Sequence, residues 1–195
     1  MERLKSIKRI ILSVGHGGLT GEDHDSGAEV KGFNENDQCR MIAGYLCAEL
    51  TKSGFAVLVI PDWGLQKSIN YINSVGNTSN DWAIEIHRDS ADNFNPKTMA
   101  RRCGVYFLYE TAGSAVVAKS IANCLITEGA HTSSWARADT ESPRKRLAFI
   151  RQPKMLSHII ELGFIQDNNT EAECKWYAVA LAKSLVKVLS ILTEK

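Results

Sequence analysis

Two histidines and one glutamate lie where the predicted elements of this chain begin or end. His16 follows the apolar run RIILSV, and His87 closes the apolar run WAIEIH. In an α/β sheet, ligands bind at the ends of the strands. Glu35 stands at the start of a predicted helix, where the helix dipole also favours a carboxylate. Two neutral imidazoles and one carboxylate are the ligand set of a catalytic zinc, so the three residues together predict a zinc site with one open position.

A second glutamate, Glu161, interrupts the run IIELGFI, which otherwise has the composition of a buried strand. A buried charge needs a partner or a chemical task. A zinc site lowers the pKa of water to about 7 and needs a carboxylate that is not a ligand to accept and return protons. We therefore predict that Glu161 is the general base. His158 lies three residues earlier and would point to the opposite face of a strand, so we interpret it as a structural histidine.

Other catalytic motifs are incomplete in this sequence. The loop GHGGLTG lacks the last glycine of a dinucleotide fingerprint, and a polar loop follows it where that fingerprint requires a helix. The sequence contains no G-x-S-x-G elbow of a serine hydrolase. Its five cysteines include no C-x-x-C pair, which indicates free thiols and argues against both a disulfide framework and a cysteine zinc site.

The size and composition of the chain are typical of one soluble globular unit, and we predict a single catalytic domain over residues 1–195. Hydrophobic residues make up 44% of the sequence and charged residues 23%, and the formal net charge of +1 provides no field that would attract nucleic acid. No apolar run approaches the roughly 20 residues needed for insertion into a membrane. The sequence contains no signal for an oligomeric state.

The N-terminal segment MERLKSIKRIILSVGHGG is basic and then apolar, as a secretory signal peptide would be. Its apolar run over residues 10–14 is too short, and no small-residue cleavage site follows it. We predict that this run forms the first strand, and that the protein is made in the cytoplasm without a signal of its own.

The candidate residues need a sheet that holds them together, and strand and helix signals alternate along the chain. Strands separated by helices indicate an α/β fold: a three-layer domain with a mostly parallel or mixed central sheet flanked by helices on both faces. The predicted strands are RIILSV, the buried FAVLVI, WAIEIH, CGVYFLYE, RLAFIR and SHIIELGFI. The predicted helices are residues 35–53, LQKSINYINSV, residues 115–128 and residues 171–193.

Four motifs in this order resemble the zinc-dependent N-acetylmuramoyl-L-alanine amidases of the Amidase_3 type. VGHGG is similar to the first histidine motif of that family, GFNEND to its helix-opening glutamate, and EIH to its second histidine motif. IIELGFIQD is similar to its late V-E-L-G-F strand, and RLAFIR to the strand before that glutamate. The resemblance covers about residues 8–175, which is nearly the whole chain.

This resemblance implies cleavage of the amide that joins N-acetylmuramic acid to L-alanine in peptidoglycan. It also implies zinc on His16, Glu35 and His87, with Glu161 as the residue that moves the proton. Two alternatives stay open: a zinc peptidase or other amidohydrolase on the same scaffold, and a wall-binding module without turnover. Without a signal of its own, an enzyme of this kind would reach the cell wall through another system, as a phage lysin or a delivered toxin does.

The sequence departs from the family pattern beside each histidine. Ser13 and Val14 stand where the family has Asp-Pro, and an aspartate there can orient the first histidine from behind. We therefore expect another residue to support His16. Arg88 and Asp89 replace a small residue and an asparagine after the second histidine. A third change, Ser68 in place of an arginine, lies in the second predicted helix, and all three changes leave the metal ligands intact.

Overall fold

The computed structural model describes residues 7–18, 24–128, 133–167 and 170–193. Two stretches discussed above lie outside the described residues: the basic start of the N-terminal segment, residues 1–6, and the end of the GHGGLTG loop. The strands are β1 (Arg9–Val14), β2 (Glu29–Val30), β3 (Phe33–Asn34), β4 (Ala56–Val59), β5 (Asp81–Asp89), β6 (Arg102–Phe107), β7 (Ser133–Ala138) and β8 (Leu156–Phe164). The helices are α1 (Glu35–Lys52), α2 (Leu65–Val75), α3 (Pro96–Met99), α4 (Ala112–Thr127), α5 (Ala148–Arg151) and α6 (Glu171–Thr193).

Six of the strands form one sheet in the order β4-β1-β5-β8-β6-β7. The first four of these are mutually parallel, β6 runs antiparallel to β8, and β7 is parallel to β6. The short strands β2 and β3 form a separate antiparallel pair just before α1. The predicted mostly parallel, mixed sheet is therefore confirmed.

Helices cover both faces of this sheet, as predicted. Successive strand residues point to opposite faces, so two apolar layers form. Ile84 and Ile160 belong to the layer beneath α1, α4 and α6, whereas Ala83 and Ile159 belong to the layer beneath α2 and α5. The odd-numbered residues of β5 and β8 consequently face α2 and α5, and both His87 and Glu161 are among them.

The prediction that RLAFIR is a strand was wrong. Residues 148–151 form the short helix α5, whose first turn closes when the N–H groups of Ile150 and Arg151 donate to the carbonyl of Leu147. Arg146 has φ 48°, a left-handed conformation that interrupts an extended chain. Phe149 and Ile150 are buried in the layer beneath α2, so the apolar run reflects burial of a helical turn.

Two strands differ from the sequence prediction in position or environment. β7, with the sequence SSWARA, was missed because its small and polar residues show no apolar alternation; it is the outer strand beside β6. FAVLVI was predicted to be a buried strand, but β4 pairs only with β1 and is partly exposed. A strand at the edge of a sheet lacks a neighbour on one side, which leaves its side chains closer to solvent.

Two other features agree with the sequence analysis. All five cysteines are free thiols, and four of them are buried. Over the described parts of the chain, no helix has both the length and the apolar character required to cross a membrane.

Candidate metal centre and active-site cleft

The strand register brings the candidate residues together at one end of the sheet. β1 and β5 are parallel with Val14 beside Ile86, and the N–H of Gly15 donates to the carbonyl of Ile86 at 2.8 Å. His16 directly follows Gly15 and His87 directly follows Ile86, so the two histidines become neighbours with ring centroids 5.1 Å apart.

Glu35 lies between the two histidines. It is the first residue of α1 and is 5% exposed. Its Oε2 lies 3.1 Å from Nε2 of His16, and its Oε1 lies 2.9 Å from Nδ1 of His87. One ligand atom from each of the three residues lies within 4.8 Å of the other two. The structure therefore brings together the three residues predicted as metal ligands.

Each imidazole has a second carboxylate on its outer nitrogen. Oδ2 of Asp25 lies 2.8 Å from Nδ1 of His16, and Oε2 of Glu85 lies 3.1 Å from Nε2 of His87. Carboxylates in this position fix the orientation of a metal-binding histidine and increase its basicity. Asp25 thus supports His16 from a loop, in place of the aspartate missing before Gly15.

Neither outer carboxylate was predicted from the sequence. Glu85 could have been found, because it is two residues before His87 and so lies on the same face of β5. Asp25 lies in a loop without periodicity, and its approach to His16 depends on an isolated pairing of Gly17 with Asp25. No local pattern indicates that contact.

Glycines make room for this arrangement. A Cβ on Gly15 would lie 2.4 Å from the ring of His87, and a Cβ on Gly27 would lie 2.7 Å from the ring of His16. His16 itself has φ 65°, a left-handed backbone conformation that turns the chain sharply after β1. The glycine-rich motif therefore permits close packing of the imidazoles, and it does not have the form of a phosphate-binding loop.

The electrostatics of the cluster favour a cation at its centre. Burial lowers the pKa of His16 and of His87, but the neighbouring carboxylates together outweigh burial, so the pKa of each is raised. These carboxylates are Glu35 and Asp25 at His16, and Glu35 and Glu85 at His87. Burial raises the pKa of Glu35, and hydrogen bonds from both histidines outweigh it, so that pKa is lowered. Three carboxylates thus surround two imidazoles, which is a setting that attracts positive charge.

These residues fit a zinc ion. Tetrahedral zinc with ligand distances of about 2 Å places its donor atoms roughly 3.3 Å apart. The contacts of Glu35 with the two histidines are 3.1 and 2.9 Å, and both histidines are oriented from behind. The three residues line a cleft. Two nitrogens and one carboxylate would leave one metal position open to this cleft.

Glu161 faces the same cleft from β8. It is paired in register with His87, so both side chains point to one face of the sheet. Burial raises the pKa of Glu161 to about 7, and the charges of Glu35 and Asp89 add to this effect while the histidines oppose it. A carboxyl group with that pKa can both accept and release a proton near neutral pH.

The two residues after the second histidine have different environments. The Arg88 side chain is 1% exposed and donates to Oε1 of Gln38 at 2.6 Å and to the carbonyl of Phe164 at 2.7 Å. Its backbone N–H donates to Oε1 of Glu35 at 3.0 Å, which helps to fix that carboxylate. Asp89 lines the cleft, where burial raises its pKa.

His158 belongs to the opposite layer. It is fully buried, Nδ1 accepts from Trp82 Nε1 at 2.9 Å, and Nε2 lies 3.1 Å from the carbonyl of Ser114. It therefore has no access to the cleft, which agrees with its interpretation as a structural residue.

The sequence matches a known protein family, and the fold matches known structures. A family model described as N-acetylmuramoyl-L-alanine amidase matches residues 10–189. A search of curated protein sequences gives no match to the chain.

Several solved structures share the fold at low sequence identity. An N-acetylmuramoyl-L-alanine amidase from Clostridium difficile 630 has a TM-score of 0.72 and 22% identity over 97% of this chain and 99% of its own. The catalytic domain of the CD27L endolysin, described as targeting Clostridia difficile, has a TM-score of 0.70 and 22% identity, and the match covers 94% of this chain and 97% of that domain. The CwlD amidase from Clostridioides difficile, solved with the GerS lipoprotein, has a TM-score of 0.71 and 20% identity, and the match covers 94% of this chain and 99% of that amidase.

Proposed function

Since the chain belongs to the N-acetylmuramoyl-L-alanine amidase family, we propose that it is a zinc-dependent hydrolase of the amide between N-acetylmuramic acid and L-alanine in peptidoglycan. The observation that carries this proposal is the convergence of His16, Glu35 and His87, with Glu161 beside them on the next strand. The catalytic unit that we propose is a single domain, and its place of action is the cell wall.

The roles of the residues follow from their positions. His16, Glu35 and His87 would hold the zinc, while Asp25 and Glu85 contact the two imidazoles and would keep them in place. Bound zinc supplies a Lewis acid that polarises the scissile carbonyl and makes water more acidic. Glu161 takes a proton from the attacking water and delivers it to the amine that leaves, so the base is restored at the end of each turnover.

The burial of Glu161 has a chemical reason in this mechanism. A carboxylate in water has a pKa near 4.3 and is a weak base, so it would accept a proton from the attacking water less readily. Burial raises the pKa of Glu161 to about 7, which makes it a stronger base. A general acid–base residue is most effective when its pKa lies near the operating pH.

Digestion of purified peptidoglycan tests the function directly. Mass spectrometry of the products, with and without added zinc, identifies which bond is cut. Release of free L-alanyl peptides from the glycan would support the amidase. Cleavage within the peptide would instead favour the zinc peptidase, and wall binding without products would favour a module without turnover.

A further inference from the structure

The cleft has a second wall whose charge is opposite to that of the metal centre. The cavity has a volume of about 910 Å³. Carboxylates and imidazoles occupy one side, and five cationic side chains line the other. We call these five residues the basic wall: Arg102, Arg137, Arg144, Lys145 and Arg146.

In the described parts of the chain the cations of the basic wall are not paired directly with carboxylates, although the charges of Arg102 and Arg137 oppose the rise in the pKa of Asp89 and the charge of Arg146 helps to lower the pKa of Glu110. Among the described residues, none of the five forms an ion pair with N···O within 4.0 Å. Arg151, by contrast, pairs with both Asp139 and Glu110 and does not line the cleft. Arg144 acts across the cleft, since its charge contributes to the lowered pKa of Asp25.

The strand register aligns Trp135, a neighbour of the basic wall, with the proposed base. His87, Glu161, Gly104 and Trp135 are aligned across four adjacent strands. Paired residues point to the same face, so these positions form one row on the floor of the cleft. A Cβ on Gly104 would lie 2.0 Å from the indole of Trp135, which shows that the indole extends over this glycine toward Glu161.

Trp135 also positions the guanidinium of Arg137. The Cζ atom of Arg137 lies 4.6 Å from the centroid of the indole ring, a cation–π contact. A guanidinium placed over a ring in this way can still use its N–H groups to bind a carboxylate through two parallel hydrogen bonds.

A strained turn holds three of the cations at the rim of the cleft. Lys145 and Arg146 have φ of 46° and 48°, in the left-handed region that favours glycine. The N–H of Lys145 donates to the carbonyl of Ser142 at 2.9 Å, and the N–H of Arg144 donates to the Ser142 hydroxyl at 3.2 Å. Strain of this kind is most often retained where it serves a binding site.

The chemistry of the substrate indicates what this wall binds. Under the proposed function, on which this step rests, the lactyl carboxyl of the glycan is bonded within the scissile amide and has no charge. The negative charges nearest to the bond are therefore the free carboxylates of the peptide. We infer that the basic wall binds these carboxylates, so that the enzyme selects anionic peptides over amidated ones.

Two probes of nearly equal size test this inference. N-acetylmuramoyl-L-alanyl-D-isoglutamate, the anionic probe, has two free carboxylates. The corresponding D-isoglutamine compound keeps one of them and has a neutral amide in place of the other, so it carries one negative charge fewer. We expect the wild type to prefer the anionic probe in kcat/KM by roughly 10- to 100-fold, the range for a charged hydrogen bond. The triple variant Arg144→Gln, Lys145→Gln and Arg146→Gln should lose most of this preference.

A matched control removes three charges elsewhere. Lys8, Lys119 and Lys183 are exposed and do not line the cleft, so their replacement by Gln should leave the preference intact. Calorimetric titration of both probes into the zinc-loaded Glu161→Gln variant, with and without the triple substitution, measures binding without turnover.

The outcomes separate this inference from the proposed function. Equal affinity for the two probes, or a preference that survives the triple substitution, would overturn the assignment of the basic wall. Tighter binding of the anionic probe without hydrolysis of either by the wild type would reject the amidase function while supporting the basic wall.

Discussion

Glu161 and the two outer carboxylates are the residues on which the proposed chemistry depends most directly. Glu161 faces the cleft beside His87, and its pKa is raised to about 7 by burial. Asp25 and Glu85 each contact the outer nitrogen of one histidine. Replacing each carboxylate by its amide keeps the shape of the side chain and removes its charge, so the roles can be separated.

We expect Glu161→Gln to fold, to bind zinc, and to lose at least ~100-fold in turnover, because positioned proton transfer contributes roughly 10² to 10⁴. Zinc content, melting temperature and amidase rate should be measured on one preparation. Glu29→Gln is a suitable control, because Glu29 is exposed and lies outside the cleft. Turnover close to that of the wild type in Glu161→Gln would reject the proposed mechanism. Loss of zinc from this variant would indicate that Glu161 is a metal ligand.

Asp25→Asn and Glu85→Gln should each weaken zinc binding by about 10- to 100-fold, the usual effect of removing a carboxylate behind a metal-binding histidine. Competition with a chromophoric chelator measures this affinity. Asp92→Asn removes an exposed carboxylate outside the cleft and should leave the affinity unchanged. Wild-type affinity in both test variants would show that these contacts do not support the histidines.

Among single residues, the sequence allowed a prediction of those candidate site residues that lie at the ends of strands or at the start of a helix, or that interrupt an apolar run. His16, Glu35, His87 and Glu161 could be chosen because each lies at an element boundary or interrupts an apolar run. Asp25 and the cations of the basic wall could not be chosen, since they lie in loops or among polar residues. Their contacts depend on the path of the chain and on no local pattern.

At the scale of elements, β8 connects the two layers of the molecule. Its residues alternate between the cleft, where Glu161 lies, and the opposite layer, where His158 joins β5 to α4. Because Trp82 donates to Nδ1 of His158, that nitrogen must be unprotonated, and the imidazole is neutral in the folded chain. Burial lowers the pKa of His158 to about 4.

His158 should therefore make stability depend on pH. An unfolded histidine has a pKa near 6.5, so its contribution is fully present above that value and is lost as pH falls toward 4. The loss amounts to roughly 3 kcal/mol, at 1.36 kcal/mol for each pKa unit. Urea unfolding at several pH values between 4 and 7 measures the free energy of unfolding as a function of pH. This free energy should change less with pH in His158→Gln than in the wild type. His24→Gln replaces an exposed histidine and should keep the wild-type dependence of the free energy of unfolding on pH.

Two glycines give a matched test of close packing between elements. Gly15→Ala should displace the ring of His87, because the new Cβ would lie 2.4 Å from it, and zinc occupancy should fall. Gly44→Ala in α1 has no atom within 4 Å of the new Cβ and should stabilise the helix by about 0.5–1 kcal/mol. Full zinc occupancy in Gly15→Ala, measured by metal analysis, would show that the imidazole can move without loss of binding.

Elements were predictable in proportion to their length and burial. α2 has the bounds expected from LQKSINYINSV, and α1 ends one residue before its predicted end. RLAFIR was assigned to the wrong class because a run of six residues with apolar members is compatible with a strand or a helical turn. β7 had no signal because its small and polar residues show no apolar alternation, and its place in the sheet depends on pairing with β6.

At the scale of the whole molecule, the proposed metal centre would link the end of β1, the start of α1 and β5. A ligand that binds only the folded chain stabilises it, by about 4 kcal/mol when its concentration is 1,000 times the dissociation constant. We expect zinc to raise the melting temperature and a chelator to reverse the effect. His87→Ala should abolish the zinc-dependent shift while leaving the metal-free protein folded. A zinc-dependent shift of unchanged size in that variant would place the metal elsewhere.

The order of the strands could not be predicted from the sequence. Alternating strands and helices indicate the α/β class, but the insertion of β8 between β5 and β6 is fixed by contacts between distant segments. The same insertion places Glu161 next to His87, although the two residues are far apart in the chain.

This strand order also has a consequence for how the molecule is made. β1, β4 and β5 can pair as soon as they have been synthesised, and so can β6 and β7, but the two groups meet only through β8. Long-range pairing of this kind delays folding, because the intervening chain must be closed into a loop first. The strand that completes the sheet also brings Glu161, so a nascent chain that already contains the three proposed zinc ligands would still lack the proposed proton carrier. Under the proposed function, activity would therefore appear only after β8 has been synthesised and has paired with β5.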